Sequence, residues 1–336
     1  MNSFRIPDSG GRDAMGRRTL ATISRADYAY GYDDAGRLAS FTRSKNGVSD
    51  AEFGFDMLEG GEMRAITLGH ESGAQWNYDY NEYGGVSKIE RTPAGGGDPV
   101  ELFTTAMAKG YPTSHTVTPA GESLGNFGPA GTTLFRFDAL GRAKELEFRA
   151  TDGTPVRKLV RDYRQFSGEV WRETLYSWTS DAWAVESRKE YQTVGSDRVL
   201  EYDPSAPSTT WKARLYEGLD MPLATMDAGR YASGSGAAWI LTDDKGTVHA
   251  ATDFYGSVED FADDPYGRRK RWDGTGWSET ASDLGVDLGF QARPALAGEF
   301  SRFLDFRNRL FDISSATWLT PDPLGPVDGY ALYSFG

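Results

Sequence analysis

Catalytic or ligand-binding chemistry needs particular side chains at particular spacings, and this sequence offers few. Its 336 residues contain three histidines, His70, His115 and His249, and no cysteine. None of the histidines lies in an H-E-x-x-H pair or beside a second histidine, so each reads as a surface or strand residue, not as a metal ligand. Without cysteine there is no disulfide and no thiolate metal site. The G-x-S-x-G turn of a serine hydrolase is absent. The glycine-rich stretches Ala94-Gly95-Gly96-Gly97-Asp98-Pro99 and Ser233-Gly234-Ser235-Gly236 lead into no Gly-Lys-Ser/Thr, so they read as loops, not phosphate cradles. The acidic groups Asp243-Asp244 and Asp260 to Asp264 lack the D-x-D-x-D-G spacing of a calcium loop and read as turn aspartates. Arg268-Arg269-Lys270-Arg271 is the basic run of the chain and reads as a solvated hairpin face. No cofactor and no metal follows from these residues.

The elements that would have to position any chemistry are written in aromatics, aspartate and glycine. Tyr30-Gly31-Tyr32-Asp33-Asp34-Ala35-Gly36-Arg37-Leu38 reads Y-x-Y-D-x-x-G-R-L. Phe135 to Arg142 repeats it with Phe for Tyr, and Asp13-Ala14-Met15-Gly16-Arg17 is the turn alone. Tyr78 to Gly84 carries Asn81 in place of the aspartate, and Phe53-Gly54-Phe55-Asp56 keeps the front half. Further turns are expected at Asp243, Asp253 and Asp264. Two aromatics two apart share one face of a strand. Aspartate at the first turn position can accept hydrogen bonds from the backbone ahead of it. Glycine at the fourth can take the left-handed conformation that closes a hairpin with a bulge. Each unit therefore predicts one β-hairpin, and the set predicts an all-β repeat protein.

Composition agrees. There are 40 Gly, 18 Phe, 17 Tyr and 9 Trp, a mixture suited to short strands and tight turns. A net charge of −13 opposes attraction to nucleic acid or to an anionic membrane. No apolar run approaches the ~20 residues of a membrane-spanning helix. Met1 to Asp8 lacks the apolar core of a signal peptide, so export would be directed from outside these residues.

The Y-x-Y-D-x-x-G-R-L unit resembles the YD repeat of Rhs proteins, wall-associated bacterial proteins, insecticidal toxin-complex C components and teneurins. The C-terminal stretch is similar to the Rhs repeat-associated core. It runs Leu288-Gly289-Phe290-Gln291-Ala292-Arg293, then Phe303-Leu304-Asp305-Phe306-Arg307-Asn308-Arg309-Leu310-Phe311-Asp312. Trp318-Leu319-Thr320-Pro321-Asp322-Pro323-Leu324-Gly325 and Asp328-Gly329-Tyr330-Ala331-Leu332-Tyr333 follow. The resemblance is tight from about residue 239, looser from 13 to 150 and weak between. It implies three regions: YD-repeat hairpins over 1–150, degenerate repeats or an insertion over 151–238, and the core over 239–336.

The resemblance further implies consecutive antiparallel hairpins forming a large curled or spiralling sheet, part of a hollow β-shell. Such a shell encloses a C-terminal toxin, plugged by the core, which in several members cleaves the chain after itself. The cleaving centre looks like an aspartyl protease, and its arginine and aspartate map to Arg309 and Asp322. This chain ends before the family's second D-P-x-G, and Ala316-Thr317 stand where the family has G-R. Arg309 and Asp322 as a purely structural ion pair is the alternative. The function implied is shell and core of an exported toxin or cell-surface protein, here without its effector. The alternatives are a cell-surface module binding glycans or proteins, and the remnant of a self-cleaving core. The partners implied are the rest of the same β-shell, its effector cargo, and a surface glycan or protein. Both ends look cut, which suggests a fragment of a larger secreted or surface protein.

Overall fold

The computed structural model describes residues 11–23, 26–59, 62–69, 73–124, 127–165, 167–243, 245–263, 267–272, 275–279, 281–322 and 333. The described chain is built almost wholly of antiparallel strands in a 22-stranded sheet and a separate three-stranded one. It divides into two compact units, residues 1–104 with 321–336, and residues 105–320.

In the first unit each strand pairs with the next along the chain. Leu20–Ile23 pairs with Ala26–Tyr32, which pairs with Leu38–Lys45, then Val48–Met57, Met63–Leu68, Ala74–Tyr80 and Val86–Thr92. Alternation puts every second side chain on one face. In Leu38–Lys45 that face carries Phe41, Arg43 and Lys45, each 2% exposed. The aromatics run from strand to strand: the ring centroids of Tyr30 and Phe41 lie 5.6 Å apart, those of Phe41 and Phe53 6.1 Å.

The second unit continues the same grammar. Tyr111–Val117, Gly131–Phe137, Ala143–Arg149, Pro155–Tyr163, Val170–Thr179, Ala182–Val194 and Asp197–Tyr202 pair in sequence order. Lys212–Gly218, Met221–Asp227, Ala238–Thr242, Val248–Thr252, Val258–Asp263, Arg269–Trp272 and Trp277–Ser278 extend the series. Two five-residue helices interrupt it, Pro119–Ser123 and Ala228–Ala232, capped by the Thr118 and Asp227 side chains.

The turns match the sequence reading in atomic detail. At Asp33 and at Asp138 the aspartate carbonyl accepts the N–H of the glycine three residues on, at 2.9 and 3.0 Å. The Asp138 carboxylate also accepts the backbone N–H of Leu140 and Arg142 and, at 2.7 Å, Arg142 Nε. Asp13, Asn81, Asp243 and Asp253 build the same backbone turn. Gly36 and Gly141 sit at φ +86° and +75°, and the register shifts by one residue beside each turn, as a bulge requires.

Three expectations are corrected. Asp56 is not a turn residue; it lies inside Val48–Met57, opposite Ala65. Glu59, not glycine, stands three residues after it, and the hairpin turns further on, where Leu58 N–H donates to the Glu62 carbonyl at 2.7 Å beyond a register shift at Asp56 and Met57. Asp260 and Asp263 belong to a strand and are buried, not turn aspartates. The basic run is no solvated face: Arg269 binds Asp263 at 3.0 Å and Arg271 binds Glu259 at 2.6 Å. The expected turn at Asp264 lies outside the described residues.

Candidate functional site

Residues 284–320 leave the strip of hairpins and lie back on it, within the second unit. Phe303–Phe306, Arg309–Asp312 and Thr317–Trp318 form their own three-stranded sheet. Leu296, Phe300, Phe303, Leu310 and Leu319 pack with Phe135, Leu146, Phe148, Leu159 and Leu175 of the strip. Leu284, Val286 and Leu288 pack with Ile240, Val248 and Phe261 in a second cluster. Burying apolar side chains of this size stabilises the docking by about 1.5–3 kcal/mol each, before entropy is subtracted.

Between the apolar contacts run buried charges from both sides. Asp305, 2% exposed, receives Arg161 Nη2 at 2.5 Å and also the Arg198 guanidinium. Arg161 reaches on to Glu173 at 3.0 Å, and Glu173 accepts the Tyr191 hydroxyl at 2.6 Å. Burial alone would raise the Asp305 carboxyl pKa, but Arg161 and Arg198 outweigh it and hold it below the usual carboxylate range. Asp287, itself exposed at the edge of this network, sits 2.7 Å from the buried Arg214 and 3.0 Å from Lys212; desolvation by the packed strip opposes ionisation, and the two cations hold the carboxyl well below its ordinary value. Arg307 bridges Asp197 and Asp220, and Arg157 meets Glu299 at 3.0 Å.

His115 adds a titratable member. Its Nδ1 lies 3.0 Å from Asp312, and Arg302 Nε lies 3.7 Å from the same carboxylate oxygen. The imidazole is edge-on to Phe135 at 4.7 Å. Burial draws the His115 pKa down, and Asp312 recovers only part of that fall. The Asp312 carboxyl, which burial would raise, is kept below its ordinary value by Arg302 and His115. A neutral His115 donating Nδ1–H to an ionised Asp312 fits both directions.

These pairs tie segments far apart in sequence. Removing one partner of a buried pair leaves the other charged and unsolvated, at a cost of about 3–5 kcal/mol. The arrangement fixes one register of the C-terminal segment on the strip. Among the three histidines, His115 and His249 are strand residues, buried to 5% and 6% exposure, and His70 lies outside the described residues.

Arg309 opens its strand opposite Phe306, with its guanidinium 3.9 Å above the Trp318 ring. Asp322 is half-buried and belongs to the first unit, Arg309 to the second. The structure therefore does not place the two candidates in one unit. Pro323 to Leu332, which carry the rest of the motif, are outside the described residues.

The docking residues Arg161, Arg198, Arg214, Asp287, Asp305 and Asp312 were not singled out by sequence. One signal existed: Arg161 stands two positions after Leu159 in a strand, so a charge shares the face of a core leucine.

No family model matches the chain, and no curated protein matches it. Solved structures do. A crystal structure titled TcdB2-TccC3-TEV aligns with a TM-score of 0.49 at 11% identity, over 99% of this chain and 18% of that one. A Tc holotoxin pore from Photorhabdus luminescens, carrying a TccC3 mutation, aligns at 0.33 and 14% identity, over 96% of this chain and 20% of that one. A porin-like protein from Bacteroides uniformis aligns at 0.31 and 12% identity, over 80% of this chain and 92% of that one. The chain thus spans about a fifth of the length of the toxin-complex chains it matches.

Proposed function

We propose that the chain is a wall-and-plug segment of an Rhs-type YD-repeat protein, secreted or displayed at a cell surface. In this reading the hairpins form part of a curled, hollow β-shell around an effector carried elsewhere in the protein, and residues 239–336 are the core that plugs it. Residues 1–150 are the YD-repeat hairpins and 151–238 the degenerate ones. The observation that carries the reading is the docking of residues 284–320 onto their own strip through apolar clusters and buried ion pairs. A segment held this way closes a wall; a segment meant to act alone would keep its charges in water. The recurring Asp turn supports the same reading, because it lets a strip lengthen hairpin by hairpin.

The test is protection. The chain is expressed with its flanking sequence and a downstream domain, then challenged with protease. The downstream domain survives in the wild type and is digested faster in Asp305→Ala. Equal digestion of enclosed and free domain would end the reading.

Within it, Arg309 and Asp322 are the candidates for self-cleavage. An ionised carboxylate would act as general base toward water, with the arginine stabilising the developing oxyanion. With a downstream segment restored, Asp322→Asn abolishes processing; equal processing in both versions removes the role. A second reading, a module binding glycans, is favoured by one observation. Trp239, Phe254 and Tyr255 are 46%, 85% and 70% exposed, and aromatic faces can stack on sugars. Sugar-dependent quenching of tryptophan fluorescence supports it, and flat titrations across glycans exclude it.

A further inference from the structure

The hairpin joining Leu38–Lys45 to Val48–Met57 turns on two residues, Asn46 and Gly47, with Lys45 opposite Val48. Their φ angles are +52° and +78°, and positive φ at both central residues marks the mirror-image turn that a two-residue hairpin takes. Asparagine followed by glycine suits that turn, because neither resists the left-handed conformation as other residues do. The same pair of residues also sets up a reaction. A backbone nitrogen can attack the side-chain amide carbon of the asparagine before it and close a five-membered ring. A side chain on the attacking residue would crowd that approach, and glycine has none.

Of the six asparagines in the sequence, Asn46 alone precedes glycine. Both residues are exposed, and a Cβ built on Gly47 would meet nothing within 4 Å. The Asn46 side chain makes no hydrogen bond among the described residues, so its amide carbon is not held away from the backbone. The other described asparagines differ. Asn77 Nδ2 donates to Thr92 at 2.9 Å, and the residue after it is the buried Tyr78. Asn81 Oδ1 accepts the backbone N–H of Tyr83 and of Gly85, and Glu82 follows it. Asn308 is followed by Arg309.

We infer that Asn46–Gly47 is a site of spontaneous covalent modification, deamidation through a cyclic imide. Gly47 N bonds to Asn46 Cγ, the bond from Cγ to Nδ2 breaks, and the side-chain nitrogen leaves as ammonia with the proton from Gly47. One water then opens the ring. Breaking the new bond at Cγ leaves aspartate. Breaking the bond to the main-chain carbonyl carbon leaves isoaspartate, whose main chain runs through Cγ. Nothing is oxidised or reduced. Ring closure turns the Asn46–Gly47 peptide out of its hairpin geometry, so the tip must open first, as exposed tips do more readily than a core. Isoaspartate adds one atom to the main chain of a loop whose dihedrals match the twist of its strands. Lys45 and Val48 then no longer meet in register, and the modified hairpin frays from its tip. The reaction is independent of the shell reading.

The test holds the full chain for days at neutral and at mildly alkaline pH and maps its peptides by mass spectrometry. The peptide carrying Asn46 gains the mass difference between an amide and an acid and separates into aspartate and isoaspartate forms. Asn77, Asn81 and Asn308 stay intact over the same period. Conversion is faster at the alkaline pH, where the attacking nitrogen loses its proton more readily, and faster again in urea, where the tip is always open. Gly47→Ala slows conversion several-fold, and it does so in urea too, where any effect on folding plays no part. A native chain that stays unconverted while the urea-unfolded chain reacts to completion overturns the proposal. So does conversion at Asn81 as fast as at Asn46, or an undiminished rate in Gly47→Ala.

Discussion

The two units use one hairpin grammar and bury different things with it. In the first, among the described residues, the inward face is aromatic, and its buried charged side chains are two basic ones, Arg43 and Lys45. In the second, acids and bases are buried together: Arg161, Arg214, Glu173, Glu201, Asp305 and Asp312. The turns are alike in both, from Asp33 to Asp138. The difference teaches that the repeat sets the strip, while the buried positions decide whether a strip only packs on itself or also docks another segment. Apolar contacts tolerate sliding, whereas a buried ion pair displaced by one residue leaves both charges stranded.

The largest effect tests that contrast directly. Asp305→Ala takes the carboxylate from Arg198 and leaves Arg161 with Glu173 alone, and costs the second unit about 3–5 kcal/mol in urea unfolding at pH 7. Phe41→Ala costs the first unit a similar ~3–5 kcal/mol through a cavity. Acid separates them. The Asp305 pKa is lower in the folded protein, so its contribution is complete above the ordinary carboxylate value near ~4 and is lost as pH falls through the folded value. The gap between Asp305→Ala and wild type therefore closes below about pH 4, while the Phe41→Ala gap stays. A gap of constant size to pH 3 for Asp305→Ala would show that its charge contributes nothing.

A smaller effect comes from His115. Its folded pKa is also depressed, so its neutral form stabilises docking above the ordinary histidine value near ~6.5, and the contribution fades as pH falls below it. Wild type should lose stability on going from pH 7 to 5, and His115→Gln should flatten that slope. An unchanged slope would locate the acid sensitivity elsewhere.

The smallest effect lies in the shared turn. Gly84→Ala, in the Asn81 turn at φ +77° with open space around it, costs about 1 kcal/mol through backbone strain alone. Gly141→Ala costs more, because its Cβ would come within 2.7 Å of the Tyr111 hydroxyl. Equal losses, read from thermal midpoints, would mean the tyrosine simply moves aside.

Legibility followed range. The hairpins at Asp33 and Asp138 were readable because every determinant lies within ten residues: two aromatics, an aspartate, a glycine and an arginine. Asp56 was misread by attending to the aromatics and overlooking Glu59 where glycine was needed. The basic run at 268–271 was misread because local sequence cannot show that Glu259 and Asp263 lie across the neighbouring strand. The docking pairs were invisible for the same reason in stronger form: Arg161 and Asp305 are 144 residues apart, and nothing periodic links them. Arg309 and Asp322 came from resemblance alone, and the structure places them in different units.

The turn hydrogen bonds have a consequence for the order of assembly. Each hairpin closes over a span of a few residues, through contacts its own turn supplies, and hairpins of this kind form in about 1–10 μs. A chain dominated by such neighbours can grow from any starting point, like a zipper with many sliders. The contact between His115 and Asp312 spans 197 residues, so its loop must be closed against entropy before anything is gained. The strip of hairpins therefore forms early and the segment 284–320 docks late, and the rate at which near-ultraviolet signals of Phe303 and Trp318 appear should lag the rise of β-structure.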